Sequence, residues 1–266
     1  MKRDDSKYLI IGNSVAAVAA VEAIRSQDQA GEITIVSDEP YSVYSRPLIT
    51  YFLSGKVDEE RMFYREGDFC QQNKVTALLG KRATALFTQE KKVLLEDSQE
   101  LHFDCLLLAT GGTPIIPQIE GKKLRGVFTF TRWNDARQVR DFIQTQKVRR
   151  AIVVGGGLIG LKVTEALVEL GVEVTVVELA DRILGTTFDK EASELVKNYI
   201  KEFSVDVLVN NTIAEIKREN SAVCGVTLQD GTEIGTQLVV FAIGIKPNVA
   251  LAKKAGIEVD RGVIVN

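Results

Sequence analysis

Hydrophobic positions along the chain fall into two alternating rhythms. KYLIIG (Lys7–Gly12) is a short apolar run of strand type, Val15–Arg25 is an alanine-rich stretch with helical spacing, and GEITIV (Gly31–Val36) is strand-like again. Acidic Asp38 and Glu39 follow directly. The same succession returns in the middle of the chain. Arg150–Val154 reads as a strand, Leu158 to Leu170 as a helix, and Val172–Val177 as a strand that ends on Glu178. Two βαβ units of one plan predict an α/β protein that binds two nucleotides.

The second unit carries the stronger chemistry. Its loop is Gly155-Gly156-Gly157-Leu158-Ile159-Gly160, a G-x-G-x-x-G run that follows a strand and opens a helix. The first glycine permits the tight turn, the second lets a pyrophosphate approach the backbone, and the third allows close helix–strand packing. Free N–H groups and the helix dipole favour the phosphates there, so Gly155, Gly157, Leu158, Ile159 and Gly160 are expected to line them. Glu178 stands 18 residues beyond Gly160, where a carboxylate accepts both ribose hydroxyls and repels a 2′-phosphate. The next basic residue is Arg182, so the expected cofactor is NADH rather than NADPH.

The first unit is degenerate. It reads Gly12-Asn13-Ser14-Val15-Ala16-Ala17, with serine and alanine where the second and third glycines would stand. Small residues still admit a phosphate. A βαβ unit without ligand is the competing reading.

Composition narrows the class without naming it. The 266 residues are 45% hydrophobic and 26% charged, with net charge −3 and no long run of one sign. That balance suits a globular protein and points to neither nucleic acid nor an anionic membrane as partner. The start, MKRDDSKYLIIG, has two basic residues but no apolar stretch adequate for a secretory leader, and no 18-residue apolar run spans a bilayer. A cytoplasmic protein is expected. Cys70, Cys105 and Cys224 are far apart and odd in number, so a disulfide framework is not expected, and no CxxC pair exists. Cys105, in FDCLLLAT, reads as a small buried thiol. His102 is the only histidine and reads as a surface strand residue; no metal site is expected.

Three further stretches complete a pattern: YSVYSRPLITYFLSG (residues 41–55), LLATGGTPIIP (107–117) and VFAIGIKPN (240–248). With the two nucleotide units, in this order, they resemble the FAD- and NAD-dependent pyridine nucleotide-disulfide oxidoreductase family. The nearest branch looks like the NADH-dependent rubredoxin and ferredoxin reductases and the flavin module of NADH-dependent nitrite reductases. The resemblance implies two Rossmann-like, three-layer βαβ domains, the NAD domain inserted into the FAD domain. Residues 1–112 would begin the FAD-binding domain, 113–242 would be the inserted NAD-binding domain, and 243–266 would start the return. Ala109-Thr110-Gly111 and Ala242-Ile243-Gly244 mark the two passages between them.

Carried over residue by residue, the resemblance places Gly12, Ser14 and Ala16 at the FAD pyrophosphate and Asp38 at its ribose, with Glu39 as the alternative. Arg46 and Pro47 match a segment at the phosphates and isoalloxazine, Ala83 a backbone contact to the adenine, and Ala109, Thr110, Gly111 and Gly244 the passage motifs. The implied reaction passes hydride from NADH to FAD and electrons on to a small redox protein or another acceptor. Homo-oligomers are a further implied association. The alternative is a nucleotide-binding fragment without turnover.

The chain departs from the family pattern in three ways. In the disulfide-reducing branch a redox cysteine stands where this chain has Arg46, so thiol chemistry there is excluded. In the ferredoxin-reductase branch a lysine and a glutamate face each other by the flavin, and here their positions hold Tyr51 and Lys162. A cation beside a flavin favours its anionic reduced form, which makes Lys162 the candidate for electrostatic work at the nicotinamide–flavin junction. Finally, GVIVN266 comes before the family's G-D motif and C-terminal interface domain, so the resemblance implies a shortened member.

Overall fold

The computed structural model describes residues 6–266, so the basic start of the chain, on which the leader reading rests, lies outside the described residues. The chain divides into two compact units. The first comprises residues 6–45, 60–113 and 246–266, and the second residues 46–59 and 114–245.

The first unit opens with strand β1 (Lys7–Ile11), helix α1 (Val15–Gln27) and strand β2 (Glu32–Ser37). Residues 46–59, with the short helix α2 (Ile49–Leu53), then belong to the second unit. The first unit resumes with helix α3 (Phe69–Gln72) and strands β3 (Val75–Leu79), β4 (Ala83–Phe87), β5 (Lys92–Leu95), β6 (Glu100–His102) and β7 (Cys105–Leu108). A parallel sheet in the order β3-β2-β1-β7 forms its middle layer. Strand alternation then sorts the apolar side chains onto two faces. Ile10, Ile33 and Ile35 bury with Ala17 and Val21 of α1, while Leu9, Ile11 and Val36 bury with Leu86, Val93 and Leu95 of an antiparallel β4-β5-β6 sheet.

At the two chain passages, strand β8 (Gly112–Pro114) pairs with a late strand, Ile245–Pro247. The second unit contains β9 (Val127–Thr129), α4 (Trp133–Gln146), β10 (Arg150–Val154), α5 (Leu158–Glu169), β11 (Glu173–Val177), α6 (Lys190–Lys201) and β12 (Asp206–Leu208). It continues through β13 (Ile213–Glu219), β14 (Ala222–Leu228), β15 (Glu233–Gly235) and β16 (Leu238–Phe241) before β17 (Ile245–Pro247). Its parallel sheet runs β12-β11-β10-β16-β9, with α5 packed on β10 and β11. Ile152, Val154, Val177, Val239 and Phe241 bury against Ile213, Ile216, Val223, Val226 and Leu228 of the antiparallel β13-β14-β15 sheet. The last helix, α7 (Ala250–Lys254), returns to the first unit, where Leu251, Ala255 and Ile257 pack on the Leu9–Val93 core. Both units are thus α/β, each a helix layer, a parallel sheet and a small antiparallel sheet.

Two sequence expectations need restating. Residues 46–59, read as part of the first domain, pack with the second unit, because α2 lays buried Phe52 edge-on against buried Trp133 of α4, ring centroids 5.8 Å apart. Cys105, read as a buried thiol, is exposed. It lies on the edge strand β7, whose alternate positions Leu106 and Leu108 pack into the core while Cys105 and Leu107 face away from it. His102 is exposed at the end of β6. Among the described residues, no helix is long and apolar enough to cross a membrane.

Candidate functional site

The loops at the carboxyl ends of the two parallel sheets are built alike. In the first unit Gly12 follows β1 with φ +122°, and its N–H donates to the Val36 carbonyl at 2.8 Å. A Cβ at Gly12 would stand 2.1 Å from the carbonyl oxygen of Ala109. In the second unit Gly155 follows β10 with φ +107°, its N–H donates to Val177 at 2.8 Å, and a Cβ would stand 2.5 Å from the Ala242 oxygen. Both alanines are held the same way, Ala109 N–H to Ile11 and Ala242 N–H to Val154, each at 2.8 Å. Only glycine tolerates that backbone and that contact.

The remaining fingerprint positions divide by role. Gly160 closes the loop, for its Cβ would fall 1.8 Å from the Gly155 oxygen. Gly156 is buried, and a Cβ there would meet Ile183 at 2.6 Å. Gly157, the extended N-cap of α5, faces open space, with no atom within 4 Å of a built Cβ. Leu158 (61% exposed) and Ile159 (47%) stand on the first turn with their apolar side chains in the open. A surface of backbone and aliphatic side chains at a helix start, left uncovered by the chain's own packing, fits a dinucleotide. In the first unit Ser14 holds the matching N-cap position, Val15 is 59% exposed, and Ala16 is exposed. Ala17, fully buried under the sheet, takes the place of the third glycine.

Glu178 serves the loop directly. One carboxylate oxygen accepts the Gly156 N–H at 2.6 Å and the other the Ala180 N–H at 2.8 Å. The corresponding acid of the first unit, Asp38, is exposed at the end of β2 and pairs with Arg82 at 3.2 Å, beside Ala83 at the start of β4. Glu39 instead accepts the Tyr44 hydroxyl at 2.7 Å. Arg46 and Pro47, expected at the first nucleotide, lie in the segment that packs with the second unit, where Arg46 donates to the Thr131 carbonyl at 2.7 Å. Gly111 (φ +61°) and Gly244 (φ +109°) both take left-handed or related backbone after their alanines.

One residue of this region was not singled out from the sequence. Asn248 donates to the Thr110 carbonyl at 2.8 Å, accepts from the Thr113 hydroxyl at 2.7 Å, and offers its own carbonyl to the Thr110 hydroxyl at 2.8 Å. Its N–H reaches the Gly111 carbonyl at 2.9 Å. The asparagine closing VFAIGIKPN was the available signal.

Tyr51 and Lys162 are brought together within the second unit. The Lys162 ammonium lies 4.6 Å from the Tyr51 ring centroid and 3.5 Å from its hydroxyl, and it forms an ion pair with Glu165 one turn along α5. Lys56 approaches the same ring at 5.9 Å and is paired with Glu169. The carboxylate of Glu165, helped by the Tyr51 hydroxyl and opposed by partial desolvation, raises the Lys162 pKa above the usual lysine value. A cation in the first turns of a helix opposes the dipole by roughly 0.3–1 kcal/mol, and Glu165 with the Tyr51 ring offsets that cost.

The pattern that recurs across known proteins matches this build. A family model described as pyridine nucleotide-disulphide oxidoreductase matches residues 6–266. The chain belongs to that family. It is 32% identical over 263 residues to the NADH-dependent phenylglyoxylate dehydrogenase subunit epsilon of Aromatoleum evansii, spanning 99% of this chain and 62% of the relative. It is also 32% identical over 262 residues to the Bacillus subtilis nitrite reductase [NAD(P)H], spanning 98% of this chain and 32% of that protein. Among solved structures, a ferredoxin reductase from Rhodopseudomonas palustris superposes with a TM-score of 0.92 at 26% identity, covering 98% of this chain and 64% of its own. The chain therefore spans less than two thirds of the length of these relatives.

Proposed function

We propose that the chain binds FAD in its first unit and NADH in its second, and is the NADH-oxidising flavin part of an NADH:acceptor oxidoreductase. The observation that carries this is the doubled glycine device, with Gly12 on Ala109 and Gly155 on Ala242, inside a family member whose second loop is held by a carboxylate. Gly155, Gly157, Leu158, Ile159 and Gly160 would seat the NADH pyrophosphate on the α5 N-terminus, and Glu178 would receive the adenosine ribose. Gly12, Ser14, Ala16 and Asp38 would do the same for FAD, with Ala83, Ala109, Thr110 and Gly111 around them. Arg46, Pro47 and Gly244 are carried as further cofactor contacts on the family resemblance. When bound, FAD supplies the hydride acceptor and single-electron chemistry, while the protein supplies orientation and charge. Lys162, steadied by Glu165 and Tyr51, is the residue assigned to that charge.

The electrons would leave to a small redox protein or to a fused centre. Relatives named for ferredoxin, rubredoxin and nitrite support that class of acceptor. The deciding experiment is an absorption spectrum of the purified chain followed by anaerobic titration with NADH. A flavin band that bleaches on titration supports the proposal. A colourless protein that still binds NADH supports the alternative, a nucleotide-binding piece without turnover, which the serine and alanine of the first loop favour.

A further inference from the structure

Helix α4 presents a polar face that neither glycine loop uses. Arg137, Arg140, Asp141 and Gln144 stand at i, i+3, i+4 and i+7, so they share one side of the helix, while Ala136, Val139 and Ile143 are buried on the other. Phe52 and Glu59, from the segment 46–59, complete the lining of an open cavity of about 420 Å³. That volume falls within the range of small-molecule sites, roughly 300–1,000 Å³. Two of its walls are fixed by stacking. Arg137 lies over the Trp133 ring at 4.3 Å and pairs with Glu59 at 2.9 Å, and the Arg140 guanidinium lies over the Phe52 ring at 5.3 Å. The remaining polar groups are uncommitted. Among the described residues, the side chains of Arg140, Asp141 and Gln144 have no hydrogen bond or ion pair, and the Thr145 hydroxyl meets Asp141 only at its main-chain carbonyl.

We propose that this cavity binds a free α-amino acid in its zwitterionic form. Stacking on Phe52 fixes the plane of the Arg140 guanidinium and leaves its N–H edges for a carboxylate, which a planar fork receives bidentately. Gln144, one turn further along α4, adds an amide donor to the same group. Asp141 takes the ammonium. Adjacent residues on a helix do not face each other, so Arg140 and Asp141 do not neutralise one another and each is left for its own end of the ligand. The four charged side chains of the lining, Glu59, Arg137, Arg140 and Asp141, sum to zero, which matches a ligand carrying one charge of each sign at close spacing. A phosphate dianion would face two carboxylates here, and a simple amine would face two guanidinium groups.

The test is titration of the whole chain with L-leucine, followed by tryptophan emission and by calorimetry. Trp133 is the only tryptophan of the chain and lies under Arg137 and against Phe52, so its emission reads this cavity. Saturable binding is expected, and removing either charge of the ligand, with isocaproate or isoamylamine, is expected to weaken it by roughly tenfold or more. Arg140→Gln and Asp141→Asn should each weaken L-leucine to a similar extent. Asp141→Asn should do so with an unchanged melting temperature, because its exposed carboxylate holds nothing in the fold. Absence of saturable L-leucine binding by both methods overturns the inference, and so does equal binding of either singly charged analogue. Inorganic phosphate binding more tightly than L-leucine overturns it in favour of a plain anion site. L-leucine affinity unmoved in both variants overturns it by placing the ligand elsewhere. No residue of the cavity lies in a glycine loop, so any of these failures leaves the cofactor reading standing.

Discussion

Gly12 and Gly155 occupy the same place in two separate units: each donates its N–H at 2.8 Å to a carbonyl at the carboxyl end of the neighbouring strand, and each lies where a Cβ would collide with the carbonyl of an alanine, Ala109 or Ala242. Both have φ values that L side chains rarely adopt. Gly12→Ala and Gly155→Ala are therefore expected to destabilise their own units by about 1–3 kcal/mol or more, from strain and the clash together. Hydrogen exchange resolves which unit loosens, and equal loosening of both units by either change would contradict the assignment.

Gly157 makes the opposite case. Its backbone is extended, φ −79° and ψ −178°, and its built Cβ meets nothing within 4 Å. Gly157→Ala should leave the melting temperature within a degree or two, while a methyl at the proposed pyrophosphate seat weakens NADH by roughly tenfold or more. An NADH affinity that survives the change would remove Gly157 from the site.

Glu178 has a double duty, which separates two substitutions. Glu178→Gln keeps one acceptor, its amide oxygen, for either the Gly156 or the Ala180 N–H and turns an NH2 toward the other, whereas Glu178→Ala leaves both without a side-chain acceptor. Glu178→Gln is expected to narrow the NADH-over-NADPH preference with a smaller loss of stability than Glu178→Ala. Glu178→Ala should narrow it and also lower stability by about 1–3 kcal/mol, chiefly from the part-buried bond to the Gly156 N–H. Equal affinity of the unmodified chain for NADH and NADPH would undo the reading.

Lys162 gives an alkaline signature. Its folded pKa is raised above 10.5, chiefly by Glu165, so its contribution is complete below that value and is lost as pH rises through the folded pKa. The side chain is 40% exposed, which limits the pair to at most about 1 kcal/mol. Lys162→Met should therefore lower stability by up to about 1 kcal/mol at pH 7, and its profile should converge with that of the unmodified chain as pH rises past 10.5. Lys162→Glu, placed beside Glu165, should lower the flavin reduction potential if the proposed cofactor is bound; potentiometry with the two variants decides it.

Asp28 gives the acid counterpart. Its carboxylate accepts the Gly31 and Ala30 N–H groups at 2.8 and 2.9 Å and the Tyr8 hydroxyl at 3.0 Å, and the two backbone donors hold its pKa below the usual carboxylate value. That contribution is present above the ordinary value of 3.8 and is lost as pH falls through the folded pKa. Urea midpoints of Asp28→Asn should lie below those of the unmodified chain at pH 7 and converge with them toward pH 3.

Much of this was legible because backbone constraints write themselves into sequence. Gly12, Gly155 and Gly160 are demanded by contacts with main-chain oxygen, and apolar alternation in KYLIIG and EITIVS assigns both faces of a strand. The Tyr51–Lys162 contact was also foreseeable, from the family positions they fill. Burial of Cys105 was misread because an unbroken apolar run does not say which face of an edge strand has a partner. The placing of residues 46–59 escaped for a related reason. Ile49, Phe52 and Leu53 announce that they are buried, but only tertiary packing names Trp133 as the surface they cover.

The interleaving of the two units sets an order on their completion. Residues 46–59 are synthesised before residues 114–245, so α2 waits for α4, and the second unit has all its parts once Ile245 has emerged. The first unit, whose strands β1, β2 and β7 precede residues 114–245, still lacks the Asn248 clasp on Thr110, Gly111 and Thr113 and the α7 residues over its core. On the ribosome, the unit begun first is finished last, and the proposed FAD seat is the part that waits.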